Sequence, residues 1–264
     1  MPELPEVEYA ASIVRRAARG RIITSARALH RSQRRGLPDD AAQSLIGDRV
    51  VGVDRRGKHQ LLRLRSGRTL HVHFRMTGDW VVLAKTETGL PPHARAAIGF
   101  NDGTRLVLDD PRALSAISLW AAGVDPLPEL GPDATDRAFT AAWLATALAG
   151  RRVAIKVALL DQRVVAGVGN IYAAEALWYA RVDPRVVAGR LRLPQLRAIV
   201  AGVRRVMAKA LKHPARYAGD SANDPGRFNV YDREGEPCRR CRTKIRRVTQ
   251  GARSTYFCPA CEHR

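Results

Sequence analysis

The sequence predicts an α+β multidomain chain: an N-terminal helix, an antiparallel β-sandwich, a helical domain and a short cysteine-bearing tail. Three observations carry this. Apolar residues recur at helical spacing near the start, alternate with polar ones as far as about Leu108, and return in helix-length patterns after Asp136. Side chains line one face every 3.6 residues in a helix and every second residue in a strand, so the change of period separates the parts.

Val7, Ala10, Ala11, Val14 and Ala18 fall on one helical face, and Gly20 suits the end of that helix. From Arg21 the period changes. Leu70, Val72 and Phe74 alternate with Thr69, His71, His73 and Arg75, as in a half-buried strand. Similar runs at Leu61–Leu64, Trp80–Leu83, Ala97–Phe100 and Leu106–Leu108 predict further strands. Asn101-Asp102-Gly103, between the last two, predicts a hairpin turn. Residues 1–122 form the first expected domain. The Pro-, Gly- and Asp-rich stretch Gly123–Asp136 then reads as a linker. Helices are predicted over Phe139–Leu148, Val153–Asp161, Ile171–Tyr179 and Pro194–Lys212, with Pro194 in a permitted first-turn position, within a domain of residues 137–224. Gly219–Arg227 has turn composition and is expected to be a mobile loop. Residues 228–264 are too few to build a core of their own.

The formal charge is +20 in 264 residues. An excess of this size repels itself in the folded state and points to a polyanionic partner. Nucleic acid leads, because each neutralised phosphate releases counterions and adds affinity; an anionic membrane surface or compositional drift are the alternatives. The start, Met1-Pro2-Glu3-Leu4-Pro5-Glu6, lacks the basic and apolar stretches of a secretory signal, and no apolar run approaches a membrane span. The expectation is a soluble cytoplasmic protein.

All four cysteines lie in the tail, as Cys238-x2-Cys241-x16-Cys258-x2-Cys261. Two close pairs across such a spacer fit one structural Zn2+, which replaces the missing core. Two disulfides are the alternative, rarely kept inside cells. Around these ligands stand Arg239, Arg240, Arg242, Lys244, Arg246, Arg247, Arg253 and Arg264 against one acid, Glu262. Such a finger suits phosphate binding, and by itself equally suits a non-catalytic DNA-binding module.

Five further stretches occur in a telling order: Met1-Pro2-Glu3-Leu4-Pro5-Glu6-Val7-Glu8, Arg56-Gly57-Lys58, His73-x-x-Met76-Thr77-Gly78, Asp110-Pro111-Arg112 and Gly167-Val168-Gly169-Asn170-Ile171-Tyr172. With Arg253-Ser254-Thr255-Tyr256-Phe257-Cys258 in the finger, they span nearly the whole chain. Together they resemble the formamidopyrimidine-DNA glycosylase and endonuclease VIII family, with the Leu4-Pro5 wording closer to the former branch. The resemblance implies an N-terminal catalytic helix on the β-sandwich, a helix–two-turn–helix domain, a C-terminal zinc finger, and DNA in the cleft between domains. It implies a monomeric bifunctional DNA glycosylase and AP lyase acting on damaged double-stranded DNA, nucleoid-associated when bound.

Removal of Met1 leaves Pro2 as a secondary amine, and α-amino groups titrate near about 7.7–8, so a useful fraction is unprotonated at neutral pH. Amine attack on a sugar carbon is nucleophilic catalysis. By resemblance, Pro2 is the nucleophile and Glu3 the general acid/base. Lys58 faces the scissile phosphate in the first elimination, and Arg253 serves the second. Glu6 and Glu175 match acidic positions near the nucleophile, with helix stabilisation as the alternative role. Gly169 and Asn170 belong to a turn at a helix N-terminus, where free N–H groups receive phosphate. His73, His93, Arg112 and Arg151 match DNA-contact positions, and Lys156 falls on another family lysine with a partly structural role.

A base inside a duplex must be flipped out and the gap filled. Met76, Arg112 and Leu114 are the implied fillers, with core packing as the alternative for the two apolar ones. Leu114 stands where relatives carry phenylalanine, and Arg75 where they carry a small residue. Pro225–Tyr231 is shorter than the stretch that caps 8-oxoguanine in relatives. The expectation is therefore a preference for ring-opened purines, hydantoins or abasic sites. A non-catalytic damage binder and an endonuclease VIII-like enzyme for oxidised pyrimidines remain alternatives.

Overall fold

A computed structural model describes residues 1–212 and 228–263. The expected loop at Gly219–Arg227, including the start of the shortened capping stretch, lies outside the described residues. The chain divides into two units, one containing Met1–Pro128 and the other beginning at Glu129.

In the first unit, helix α1 (Leu4–Ala18) forms where the apolar spacing predicts it and buries Val7, Ala10, Ala11, Val14 and Ala18. Gly20, at φ +84°, takes the left-handed conformation that closes the helix. Then follow β1 (Ile23–Ala28), the short helices α2 (Arg31–Arg34) and α3 (Asp39–Gln43), β2 (Val50–Arg56), β3 (His59–Leu64), β4 (Thr69–His73), β5 (Asp79–Leu83), β6 (Ala94–Phe100), β7 (Arg105–Asp109) and β8 (Ala116–Trp120). They make two antiparallel four-stranded sheets, ordered β1-β6-β7-β5 and β2-β3-β4-β8. One core joins both sheets to α1, with Ile98, Phe100, Leu106 and Leu108 from the first sheet and Leu62, Leu64, Leu70, Val72 and Ile117 from the second. The 101–103 turn joins β6 to β7, with Gly103 at φ +85°.

Strands β1, β2 and β8 were not legible in the sequence. Register shifts at Ile23/Ser25 and Val50/Gly52 break the alternation of β1 and β2, because a bulge inserts a residue that points to neither face in turn. The edge strand β8 does not alternate: Ile117 is buried and the other four residues are half-buried.

The second unit contains α4 (Ala141–Leu148), α5 (Ile155–Ala158), α6 (Asn170–Ala180), α7 (Leu193–Lys212) and the hairpin β9 (Arg246–Gln250) with β10 (Arg253–Phe257). Thr140 caps α4 by accepting from the Trp143 N–H. Leu196, Ile199, Val203 and Met207 give α7 its buried face. Gly202 brings α7 close to α6, since a Cβ there would overlap the Ala176 carbonyl oxygen. The helix predicted over Val153–Asp161 is a correction: only the single turn α5 forms. Ala154 is extended and bridges Val187, and the N–H groups of Ile155 and Ala188 bond to Val186 and Val153 carbonyls across that crossing. The second half of Gly123–Asp136 is also built into this unit, with the Gly131 N–H on the Gln162 carbonyl and Ala134 fully buried. Among the described residues no helix is long and apolar enough to cross a membrane.

Candidate functional site

In the first unit, the start of α1 is fixed by a reciprocal cap. The Glu3 N–H donates to Glu6 Oε2 at 2.9 Å, and the Glu3 carboxylate accepts the Glu6 N–H. Pro2, Glu3 and Glu6 are buried, so the chain start is held rather than frayed. Glu8 then ties α1 to the β2–β3 hairpin: its carboxylate accepts Arg15 Nη1 at 2.6 Å and Arg55 Nε at 2.7 Å. Burial raises the Glu8 carboxyl pKa, and these two guanidinium groups outweigh it, holding the group below its usual range. Arg55 also donates to the Gly57 carbonyl, inside the hairpin turn that carries Lys58.

Lys58 is itself 5% exposed. The Met1 amino group is pushed down to about 6; burial is the largest cause, Glu3 and Glu6 oppose it, and Lys58 and Arg112 add to it. Chain start, Glu3, Glu6, Lys58 and Arg112 thus share one electrostatic neighbourhood. An amine there is uncharged at neutral pH and competent as a nucleophile.

His73 ends β4, and its Nδ1 accepts the Arg75 N–H at 2.9 Å. Two histidines that sequence reasoning passed over lie beside it. His59 is paired across the ladder with His73 and meets it edge-on at 4.7 Å, and its Nδ1 lies 2.8 Å from Nε2 of His71. Burial chiefly, with Arg75 adding at all three and neighbouring histidines and Lys58 adding at His59 and His73, lowers His59 and His71 to about 4 and His73 to about 3, so all three are neutral at pH 7. The signal was present: histidines at alternate positions of one strand facing another beside Lys58.

Met76 and Leu114 are 38% and 45% exposed, which rules out core packing for both. Arg112 and His93 are exposed as well.

In the second unit, Gly167 (φ +97°) and Gly169 shape the turn before α6, and Gly169 is its N-cap. Gln162 staples this turn, accepting from the Gly167 N–H and donating to the Leu160 and Val168 carbonyls. Only a through-space contact identifies Gln162. Lys156 is fully buried and donates from Nζ to Asn170 Oδ1 and, at 3.4 Å, to the Ser254 carbonyl. Asn170 Nδ2 reaches the same carbonyl at 3.1 Å. The turn is thereby fastened to the hairpin residue next to the exposed Arg253. Arg151 is engaged internally, with the Ala147 carbonyl closing α4 and with Asp161 at 2.9 Å. The Glu175 carboxylate accepts the backbone N–H groups of Asn229, Val230 and Tyr231 and the Asn229 side-chain amide.

Cys238, Cys241, Cys258 and Cys261 converge, with all four sulfurs within 4.8 Å of one another and none in a disulfide. Sγ separations of 3.9 Å (Cys238–Cys261) and 3.4 Å (Cys241–Cys258) bracket the edge of about 3.8 Å expected for a tetrahedron with Zn–S near 2.3 Å. The donor set fits one structural Zn2+. Arg240 stacks over Trp178 at 4.0 Å and Arg185 over Phe257 at 4.6 Å, seating the finger on α6 and its following loop.

Three family models match the chain in order. They are the formamidopyrimidine-DNA glycosylase N-terminal domain over residues 1–117, the H2TH domain of the same glycosylase over 130–219, and the zinc finger found in FPG and IleRS over 235–264. The chain is 40% identical over 276 residues to the formamidopyrimidine-DNA glycosylase of Aromatoleum aromaticum, covering 100% of both. It is 38% identical over 280 residues to that of Paracoccus denitrificans, covering 99% of this chain and 100% of the relative. Among solved structures, Lactococcus lactis Fpg bound non-covalently to AP-site DNA superposes with TM-score 0.89 at 27% identity, covering 99% of this chain and all of that one. MutM (Fpg) from Thermus thermophilus superposes with TM-score 0.86 at 33% identity, covering 99% and 98%. The chain belongs to the formamidopyrimidine-DNA glycosylase family.

Proposed function

We propose that this protein is a bifunctional DNA glycosylase and AP lyase of base excision repair, working on damaged double-stranded DNA as a monomer in the cytoplasm and on the nucleoid. The observation that carries the chemistry is the buried start of α1, where Pro2, Glu3 and Glu6 are buried and the Met1 amino group preceding Pro2 titrates low beside Glu3, Glu6, Lys58 and Arg112. With Met1 removed, the Pro2 nitrogen attacks C1′ of the extruded nucleotide, and the base leaves with the glycosidic electron pair and gains a proton. Glu3 protonates the ring oxygen as the sugar opens, giving an iminium. The iminium acidifies the C2′ proton; its loss expels the 3′ phosphate, and a second elimination releases the 5′ phosphate.

Lys58 stands at the first departing phosphate and Arg253 at the second. Met76, Arg112 and Leu114 fill the gap left by the flipped base, and the exposure of both apolar side chains supports that reading. His73, His93, Gly169, Asn170 and, through its hold on Asn170, Lys156 serve the DNA backbone. Arg151, held by Asp161 and the Ala147 carbonyl, is a further contact to the DNA; Glu175 supports the scaffold, and Glu6 supports Glu3. The working parts are residues 1–122, 137–224 and 228–264. Ring-opened purines, hydantoins and abasic sites are the preferred lesions.

The test is borohydride trapping of the mature protein on an abasic-site duplex. A covalent protein–DNA band that Pro2→Gly abolishes is expected. Absence of the band from protein with a verified Pro2 terminus overturns the mechanism and leaves a damage binder.

A further inference from the structure

We propose that Asp110 is a positioning residue that locks Met76 and Leu114, which sit on separate loops, into one wedge. The inference rests on the functional reading above. Met76 follows β4 and Leu114 precedes β8. Each apolar side chain is exposed, and each directly follows a non-glycine residue in the left-handed region, Arg75 at φ +57° and Ala113 at φ +53°. Such a backbone is strained and persists only where surrounding bonds impose it.

Asp110 supplies those bonds. Its carboxylate is fully buried, and its two oxygens accept from four donors. Oδ1 takes the Thr77 hydroxyl, next to Met76, and the Arg112 N–H at 3.1 Å. Oδ2 takes the Leu114 N–H at 2.7 Å and the Ser115 N–H at 2.6 Å. One carboxylate therefore joins the two loops through a single side-chain contact, that of Thr77. The backbone extends the joint: the Asp110 N–H donates to the His93 carbonyl, and the Asp110 carbonyl accepts Arg95 Nε at 2.7 Å. From behind, buried Gln33 donates to the Ser115 carbonyl at 2.7 Å. Burial raises the Asp110 carboxyl pKa, and the hydrogen bonds from Thr77, Ser115 and Arg112 outweigh it, so the group stays ionised as an acceptor for all four donors.

Both loops must enter one gap in the base stack at once, and an apolar wedge works only if its parts keep their spacing. Thr77→Val cuts the link between the loops while leaving each loop's own bonds in place. Asp110→Asn turns one acceptor into a donor facing other donors. The measurement compares single-turnover excision of a ring-opened purine from a duplex with elimination at an abasic site in a single strand, where no gap needs filling.

Both variants should slow duplex excision about tenfold or more while leaving single-strand elimination within about twofold. The rise in 2-aminopurine fluorescence beside an abasic site on binding should fall in parallel, and Thr77→Ser should restore both. Wild-type excision by Thr77→Val, or equal loss on duplex and single strand, overturns the proposal; Thr77→Val decides the matter even if Asp110→Asn fails to fold. A wild-type protein inactive on both substrates overturns the functional reading itself, and this inference with it.

Discussion

Replacing Glu175 with alanine removes the acceptor for three consecutive backbone N–H groups and one side-chain amide. The distances are 2.9, 2.8 and 3.0 Å to Asn229, Val230 and Tyr231, and 2.7 Å to Asn229 Nδ2. The carboxylate is 3% exposed, so water does not readily replace it. A hydrogen bond to a charged group contributes about 1.5–3 kcal/mol, and the four share one acceptor and do not add, so the expected loss is about 3–5 kcal/mol. Alanine is the best helix former, so none of this loss arises from α6 propensity. Glu175→Gln keeps one oxygen for the three backbone donors and forfeits chiefly the Asn229 side chain, for a loss of about 1–2 kcal/mol. Urea unfolding of zinc-loaded protein gives the energies, and hydrogen exchange at residues 229–231 gives the location. A loss below about 1 kcal/mol for alanine, or unchanged exchange at those three amides, refutes the assignment of Glu175 to structure.

Other perturbations have equally definite outcomes. Chelating the zinc should unravel the β9–β10 hairpin and displace Arg253, read as loss of finger amide dispersion together with loss of DNA retention; a finger that stays folded without metal contradicts the structural assignment. Burial lowers the Met1 amine from 8.0 to about 6, and the Pro2 nitrogen, which reacts when neutral, meets the same surroundings once Met1 is removed. Borohydride trapping should therefore rise with pH to a midpoint below the ordinary amine value of 8.0 and flatten above it, and Lys58→Met should move the midpoint upward; a midpoint at 8 or above counts against the buried site. His59, His71 and His73 are lowered from 6.5 to about 4, 4 and 3. The unfolded chain binds protons near 6.5 and the native one only near 3–4, so this contribution is complete above 6.5 and declines as the pH falls toward 4. Melting temperatures across that window, in wild type and His71→Leu, check it. Lys156→Met removes the donor to Asn170 Oδ1 and one of the two side-chain donors to the Ser254 carbonyl, and duplex binding should weaken about tenfold with little change in secondary structure.

Local chemistry made several features legible. The cysteine spacing pointed to a zinc tetrahedron, because two short turns each present a pair of thiolates, and the convergence of four sulfurs outside any disulfide bears it out. The 3.6-residue period gave α1, α6 and α7, and Asn101-Asp102-Gly103 gave the β6–β7 hairpin. The ordered motifs gave the family. Tertiary structure alone decided what depends on partners distant in sequence. Bulges set by pairing with β6 and β3 hid β1 and β2, and the Val187 crossing cut α5 to one turn. Exposure separated Met76 and Leu114 from the core, although the same residue types fill cores elsewhere. The carboxylates show the division most clearly. Sequence marks Glu175 and Asp110 as acids near motifs, but an acid's role is fixed by which donors surround it, and those donors come from segments that only the folded chain brings together.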